Sequence, residues 1–432
     1  EVRPRGAVDA AGCVGRVDVA GAGPGELRAA IGRHAERVVG ELSPSDGETL
    51  RAVWFDAGPD TPGRLLLVAH HLVVDGVSWR ILVPDLAAAW QAAASGAEPA
   101  LEPVGTPWRR WAQWLGELSA QPARAAQAAW WADQLRDEDT QVTAARRDPA
   151  VDTMGTQSAL AVTLPEDVTE RLLTAVPAAA RCGVEDVFLT AFALAVADWR
   201  RRRGLGAGTA VLVDVERHGR QIPPDHDLDV SRTVGWFTSL APVRLDLGPV
   251  SWGQVFNSPG ALHKALSRVK ETLREMPDEG VGYGLLRHLN PRTRDELAAY
   301  QQPQFGFNYL GRTAVADASA DDDWSMSADG EVLRELGGGD PQMPAPHAVS
   351  LNVVVEDGPA GPRLIANWTW PRRLLEPDEL QRLADGWFHA LTALADHAAE
   401  EQPTGLTPSD LSLIDLELDD LGVLETEWRK TQ

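Results

Sequence analysis

The chain has 432 residues, 44% of them hydrophobic and 24% charged, which is enough to bury a sizeable core and is read most simply as two lobes. A formal net charge of −23 sets most of its surface against nucleic acid and anionic membrane, with Arg200 to Arg203 left as a local basic patch suited to an acidic partner. Cys13 and Cys182 stand far apart in no ligand-like spacing, so neither a disulfide framework nor a zinc site is suggested, and a reducing cytoplasm fits best.

Leu27, Ile31, His34, Val38 and Leu42 recur at helical spacing after Pro24, predicting an amphipathic helix over 25–42. A strand follows near 50–56. The continuous apolar run 64–72, RLLLVAHHL, is short and follows Pro62-Gly63, which suits a strand buried on both faces. From Ser78, read as the N-cap, a helix runs toward Gly96, with Pro84 expected to kink or restart it. Two tryptophan-rich helices are expected over 107–136.

The stretch 137–157 breaks the periodicity. The first lobe is accordingly placed at 1–140, a linker at 141–157 and the second lobe at 158–432. That lobe opens with a strand (158–164), a helix (166–178), a long apolar helix (184–203) and a strand (208–216). Polar, glycine-rich residues 312–346 read as a long surface loop. Strands at 348–356 and 363–370 and a helix at 377–398 follow. The sequence contains no apolar run near the roughly 20 residues of a membrane span, and residues 1–20 lack the regions of a signal peptide.

The sharpest chemical feature is His70-His71-Leu72-Val73-Val74-Asp75-Gly76, at the end of a strand and ahead of a helix. Histidine exchanges protons near neutral pH, its unperturbed pKa being about 6.5. Side chains alternate along a strand, so only one of the pair can face a given cavity, and the other packs in the core. Asp75 could fix the loop through a salt bridge, and Gly76 permits a tight turn. By itself such a pair is more often structural than chemical. Lys264, Lys270 and Lys430 are the only lysines, and none sits where a Schiff base would need it.

Taken together, the motifs resemble those of the condensation-domain superfamily, which has the chloramphenicol-acetyltransferase fold, and in particular the epimerization domains of non-ribosomal peptide synthetases. HHxxxDG at 70–76 is similar to the superfamily's histidine motif. Asp214 to Gln221 (DVERHGRQ) resembles EGHGRE, and Arg232 to Thr238 matches RTVGWFT. Gly280 to Gly284 (GVGYG) resembles the glycine-tyrosine block, and Phe307 to Gly311 matches FNYLG. The likeness runs over about 50–430. Two positions depart from it: Arg217 stands where the family has glycine, and Gln221 where it has glutamate. The family's PIQxWF motif and about two strands and helices of its first lobe have no counterpart before Glu1.

The resemblance implies an α/β chain (an α+β sandwich) of two acetyltransferase-like lobes forming a V-shaped pseudo-dimer with a cleft open at one end. It implies inversion of the α-carbon of an aminoacyl or peptidyl thioester, with no metal and no directly bound cofactor. The substrate would arrive on the 4′-phosphopantetheine arm of an upstream peptidyl carrier domain, and other synthetase modules would be further partners. His71 and Glu216 would alternate as base and acid on the two faces of the α-carbon. For Glu216 to return a proton near neutrality its pKa must lie above the usual 4.3 or so, so Arg217 is expected to point away. Asn308 and Tyr309 border the implied site, a donor to the enolate oxygen contributing about 3–4 kcal/mol; Tyr309 could instead orient a base. His70, Asp75, Gly76 and Arg220 would support the site, Asp75 and Arg220 as an ion pair tying the histidine loop to the second lobe. Trp236, Phe237 and Tyr283 are candidates for the substrate channel. A condensation domain and a non-catalytic docking domain that recruits tailoring enzymes are the alternatives, the first disfavoured by Glu216 and the second by the intact His71, Asp75 and Gly76.

Overall fold

The computed structural model describes residues 8–136, 142–143, 145–222, 226–314, 323–333, 339–398 and 407–410. They form two compact units, each built around its own sheet. The units cut the chain differently from a division in chain order. The first draws on Glu1–Leu115, His218–Thr238 and Ala316–Pro341, and the second on Gly116–Arg217, Ser239–Val315 and Gln342–Gln432. Residues 145–157 belong to the second unit, where the Met154 amide donates to the Met343 carbonyl at 2.8 Å.

In the first unit, strands β1 (Val14–Asp18), β2 (Leu50–Asp56) and β3 (Arg64–Ala69) make a three-stranded sheet in that order. Strand β1 runs parallel to β2, and β2 runs antiparallel to β3. Helix α1 (Pro24–Gly40) lays Ile31, Ala35 and Val38 on Val53, Phe55 and Leu66, the i, i+4, i+7 stripe that its sequence carries. Arg28 and Arg64 both reach Asp329, at 3.1 and 3.0 Å. Strand β3 ends at Ala69, short of the predicted 72, because the chain turns at His70 into a 3₁₀ turn, His71–Val73. Helix α2 (Gly76–Ala94) is capped by Asp75 rather than Ser78 and continues through Pro84. Helix α3 (Trp108–Ser119) follows.

The second unit continues with α4 (Pro122–Ala126) and α5 (Ala128–Leu135), so that three helices, not two, occupy 107–136. Next come β4 (Gln157–Leu164), α6 (Glu166–Leu173), α7 (Ala175–Ala180), α8 (Val184–Arg202), β5 (Ala210–Arg217) and β6 (Ser239–Asp246). The predicted helix 166–178 is broken at Thr174, four residues beyond Glu170 and three before Pro177, whose ring and missing N–H oppose a continuous helix. Helices α9 (Pro259–Glu275), α10 (Val281–Gly284) and α11 (Arg294–Ala298) lead to β7 (Phe305–Ala314), β8 (Val349–Gly358), β9 (Gly361–Pro371) and α12 (Pro377–His397). The predicted loop 312–346 contains the end of β7 and a 3₁₀ turn at Ala328–Leu333; its residues 315–322 and 334–338 lie outside the described residues.

The six strands of this unit are ordered β4-β9-β8-β7-β5-β6, with β5–β7 and β7–β8 parallel and the other pairs antiparallel. One face is apolar and buried. Val213, Val215, Phe305, Phe307, Leu351 and Trp368 meet residues of α8 and α12 there, including Phe192 and Trp387. Helix α8 is buried at every position from Val187 to Arg200, so it has no solvent face to make it amphipathic. Because strand side chains alternate, the opposite face carries Asp214, Glu216, Asn308, Ser350, Asn352 and Asn367.

Candidate active site

In the first unit the histidine motif is a turn with a buried anchor. The His70 Nδ1 accepts from the Leu72 amide at 3.1 Å, which bends the backbone and leaves His71 exposed at the turn. The His71 ring lies 4.7 Å, centroid to centroid, from that of Trp236 at an angle of 52°. Asp75 is buried and collects four neighbours: the Ser78 amide at 2.7 Å, the Ser78 hydroxyl at 2.8 Å, the Phe237 amide at 3.3 Å and the Arg220 guanidinium. Arg220 Nη2 stands 3.0 and 3.1 Å from the two Asp75 carboxylate oxygens, while its Nη1 donates to the Val230 and Thr233 carbonyls at 2.9 and 2.8 Å. The expected ion pair is therefore present, with side chains only 8% and 5% exposed. Both partners fall in the same compact unit, to which His218–Thr238 belongs.

Ser78 completes the anchor. Its hydroxyl donates to the Gly235 carbonyl at 3.0 Å and accepts from the Gly235 amide at 3.1 Å, so the histidine turn and the Gly235-Trp236-Phe237 segment are fastened to each other. Gly235 has a steric reason to be glycine: a Cβ there would sit 2.3 Å from the Trp108 ring. Trp108 is in turn set edge-on to Phe237 at 4.8 Å, which backs one side of its ring. Gly235→Ala is expected to destabilise the protein by about 1–3 kcal/mol through overpacking, read as a lower urea midpoint. An unchanged midpoint would show that Trp108 is free to move. Phe237 is buried under the Arg220 guanidinium, 4.0 Å from its ring centroid, whereas Trp236 is 42% exposed.

In the second unit Glu216 is the penultimate residue of β5 and is half-buried. It is in register with Asn308 of β7, which places a carboxylate beside a carboxamide on the polar face of the sheet. Two residues back, Asp214 Oδ2 lies 2.9 Å from the Nε2 of His347, both side chains being buried. The imidazole occupies the space over Gly306, where a Cβ would come within 2.3 Å of its Nδ1. A group that can accept or return a proton thus stands beside one that can donate to an oxyanion, above a buried acid–imidazole pair.

Tyr309 is not brought to this face. It lies one residue on from Asn308, with its ring edge-on to Phe188 of α8 at 5.2 Å, and burial pushes its hydroxyl pKa upward. Arg217 also turns to the helix side, where its Nε and Nη2 reach Glu185 Oε2 at 2.9 and 2.6 Å. Burial holds the Glu185 carboxyl above the usual range against the pull of that guanidinium. Tyr283 is buried against Trp131, centroids 5.3 Å apart; burial first, and the Asp214 charge second, raise its pKa. Gln221 Nε2 lies 3.4 Å from His218 Nε2. Among the described residues, no group of three or more His, Cys, Asp or Glu side chains is placed to hold a metal ion, and no helix is long and apolar enough to cross a membrane.

Sequence reasoning missed Ser78 as a tie, although Asp75-x-x-Ser78 has the spacing of a capping box and could have shown it. His347 and Asn352 had no such signal, since their places depend on which strands become neighbours.

The condensation-domain family model matches residues 45–410. A linear gramicidin synthase protein of Brevibacillus parabrevis is 34% identical over 402 residues, 93% of this chain and 7% of that protein. Surfactin synthase subunit 1 of Bacillus subtilis is 32% identical over 91% of this chain and 10% of its own length. The chain thus spans a tenth or less of these curated relatives. Among solved structures, the epimerization domain from the third module of tyrocidine synthetase B superposes with a TM-score of 0.73 at 26% identity, covering 90% of this chain and 81% of that one. The X-domain from teicoplanin biosynthesis shares the fold, with a TM-score of 0.59 at 20% identity, covering 89% of this chain and 78% of the other.

Proposed function

This chain belongs to the condensation-domain family, and on that premise we propose that it is an epimerization domain, inverting the α-carbon of an aminoacyl or peptidyl thioester held on the 4′-phosphopantetheine arm of a carrier domain. The likeness to the epimerization domain of tyrocidine synthetase B, over 90% of the chain, carries this reading. Glu216 supports it, because amide formation has no use for a second acid/base group whereas inversion needs one.

The α-hydrogen leaves as a proton to one base, and the electron pair it leaves behind delocalises into the thioester carbonyl as an enolate. A proton then returns to the other face from the second group. The family motifs assign these two roles to His71 and Glu216, which would exchange them with the direction of reaction. Asn308 donates to the enolate oxygen. Asp75, Arg220 and Ser78 keep the His71 turn in place without exchanging protons.

The test is to load a carrier domain in turn with a panel of L-aminoacyl and L-dipeptidyl thioesters and to mix each with the protein in deuterated water. The expected result is drift toward a mixture of L and D forms with deuterium entering at the α-carbon. A folded protein that neither inverts nor exchanges any of them overturns the reading in favour of a docking domain.

A further inference from the structure

The polar face of the second unit holds a row of four residues of which this reading uses only the first two. Glu216 pairs in register with Asn308, Asn308 with Asn352 of β8, and Asn352 with Asn367 of β9. Neighbouring strands lie about 4.8 Å apart, so one carboxylate and three carboxamides stand side by side at a single level across four strands. All four residues are half-buried. Asparagine is among the residues strands disfavour, yet it occurs at this level on three successive strands. Two residues further along, the same face returns to the strand formers Val354 and Ile365, in register with each other. Two residues back the face carries Asp214, Gly306 and Ser350, so the departure from local preference runs from the Asp214–His347 pair up to the level of Glu216, and departures of this kind concentrate where function demands them.

We infer that Asn352 is a positioning residue of this site: its carboxamide, beside Asn308 on the side away from Glu216, orients the Asn308 side chain to donate to the enolate oxygen. The inference rests on the epimerase reading of Glu216 and Asn308. A carboxamide is suited to the task because it has both an acceptor for an Asn308 N–H and donors for its carbonyl, which fixes which end of Asn308 points at the substrate. Asn367 supports Asn352 in the same manner, one strand further from the chemistry.

Asn352→Val separates this role from a structural one, because valine is the better strand residue. In the thioester assay, kcat is expected to fall about tenfold with KM within twofold of the wild type, while the urea midpoint stays level or rises. Asn367→Val should show the same pattern with a smaller loss. A variant that keeps its full kcat overturns the inference, as does one whose midpoint falls in step with its activity. An active wild type alongside an unimpaired Asn352→Val removes this inference alone, whereas a wild type that neither inverts nor exchanges removes the epimerase reading as well.

Discussion

Glu216→Gln is expected to lower the rate of inversion by about 10²–10⁴-fold, the range for loss of a positioned acid/base group. Glutamine keeps the size of the side chain and its place beside Asn308 at the end of β5, but its carboxamide neither takes nor returns a proton at neutral pH. Arg217 does not complicate the comparison, since its guanidinium is held by Glu185 on the helix side of the sheet. His71→Ala should cause a loss of similar size from the other unit, because a cycle with one proton carrier missing cannot close. The informative measurement is exchange without inversion. If the two groups serve opposite faces, each variant should still wash deuterium into one stereoisomer of the loaded thioester, and the two variants should act on different isomers. Full inversion by Glu216→Gln would eliminate Glu216 from the chemistry.

Arg220→Met should destabilise the first unit by about 3–5 kcal/mol, the cost of leaving one partner of a buried ion pair without the other. Asp75 would keep its bonds from Ser78 and the Phe237 amide, but nothing would balance its charge where its side chain is only 5% exposed. The same guanidinium supplies hydrogen bonds to Val230 and Thr233 and lies over Phe237, so the segment carrying Trp236 would loosen with it. Pairing the change with Asp75→Leu should restore much of the stability, because no buried charge then remains. Inversion should stay low in the double variant, since the cap of α2 and the His71 turn both depend on the Asp75 carboxylate. Urea unfolding and the thioester assay, run on all three proteins, decide it. A single variant that unfolds at the wild-type midpoint would show that the pair contributes no net stability.

The features legible in the sequence were mostly those determined over short stretches. The stripe of α1 and the strands β8 and β9 follow from neighbouring residues, and the structure has them close to where they were expected, whereas β3 ends three residues early at the His70 turn. The break between α6 and α7 has a local signal in Pro177, which the reading of one helix over 166–178 did not use. Arg220 could be matched to Asp75 only through the family resemblance, because no local rule connects them. His347 over Gly306, and Asn352 beside Asn308, were beyond reach, since each depends on strand order and register. Tyr309 came with Asn308 from the resemblance to FNYLG, and strand alternation sets the two on opposite faces.

The Asp75–Arg220 pair also sets an order of events during synthesis. The partners are 145 positions apart, so at roughly 5–20 residues per second the carboxylate waits roughly 7–30 s for its counter-ion to be made. The histidine turn and the cap of α2 have local bonds from Leu72 and Ser78 to close on, but the Asp75 charge stays without its counter-ion while the elements from α2 to β5 are translated. Asp329, which binds both Arg28 and Arg64, comes later still. Recombination is constrained in the same way. A single breakpoint anywhere between Leu115 and Asp329 joins the early part of the first unit to a stranger's closing segment, so viable chimeras should be those that exchange the chain on both sides together.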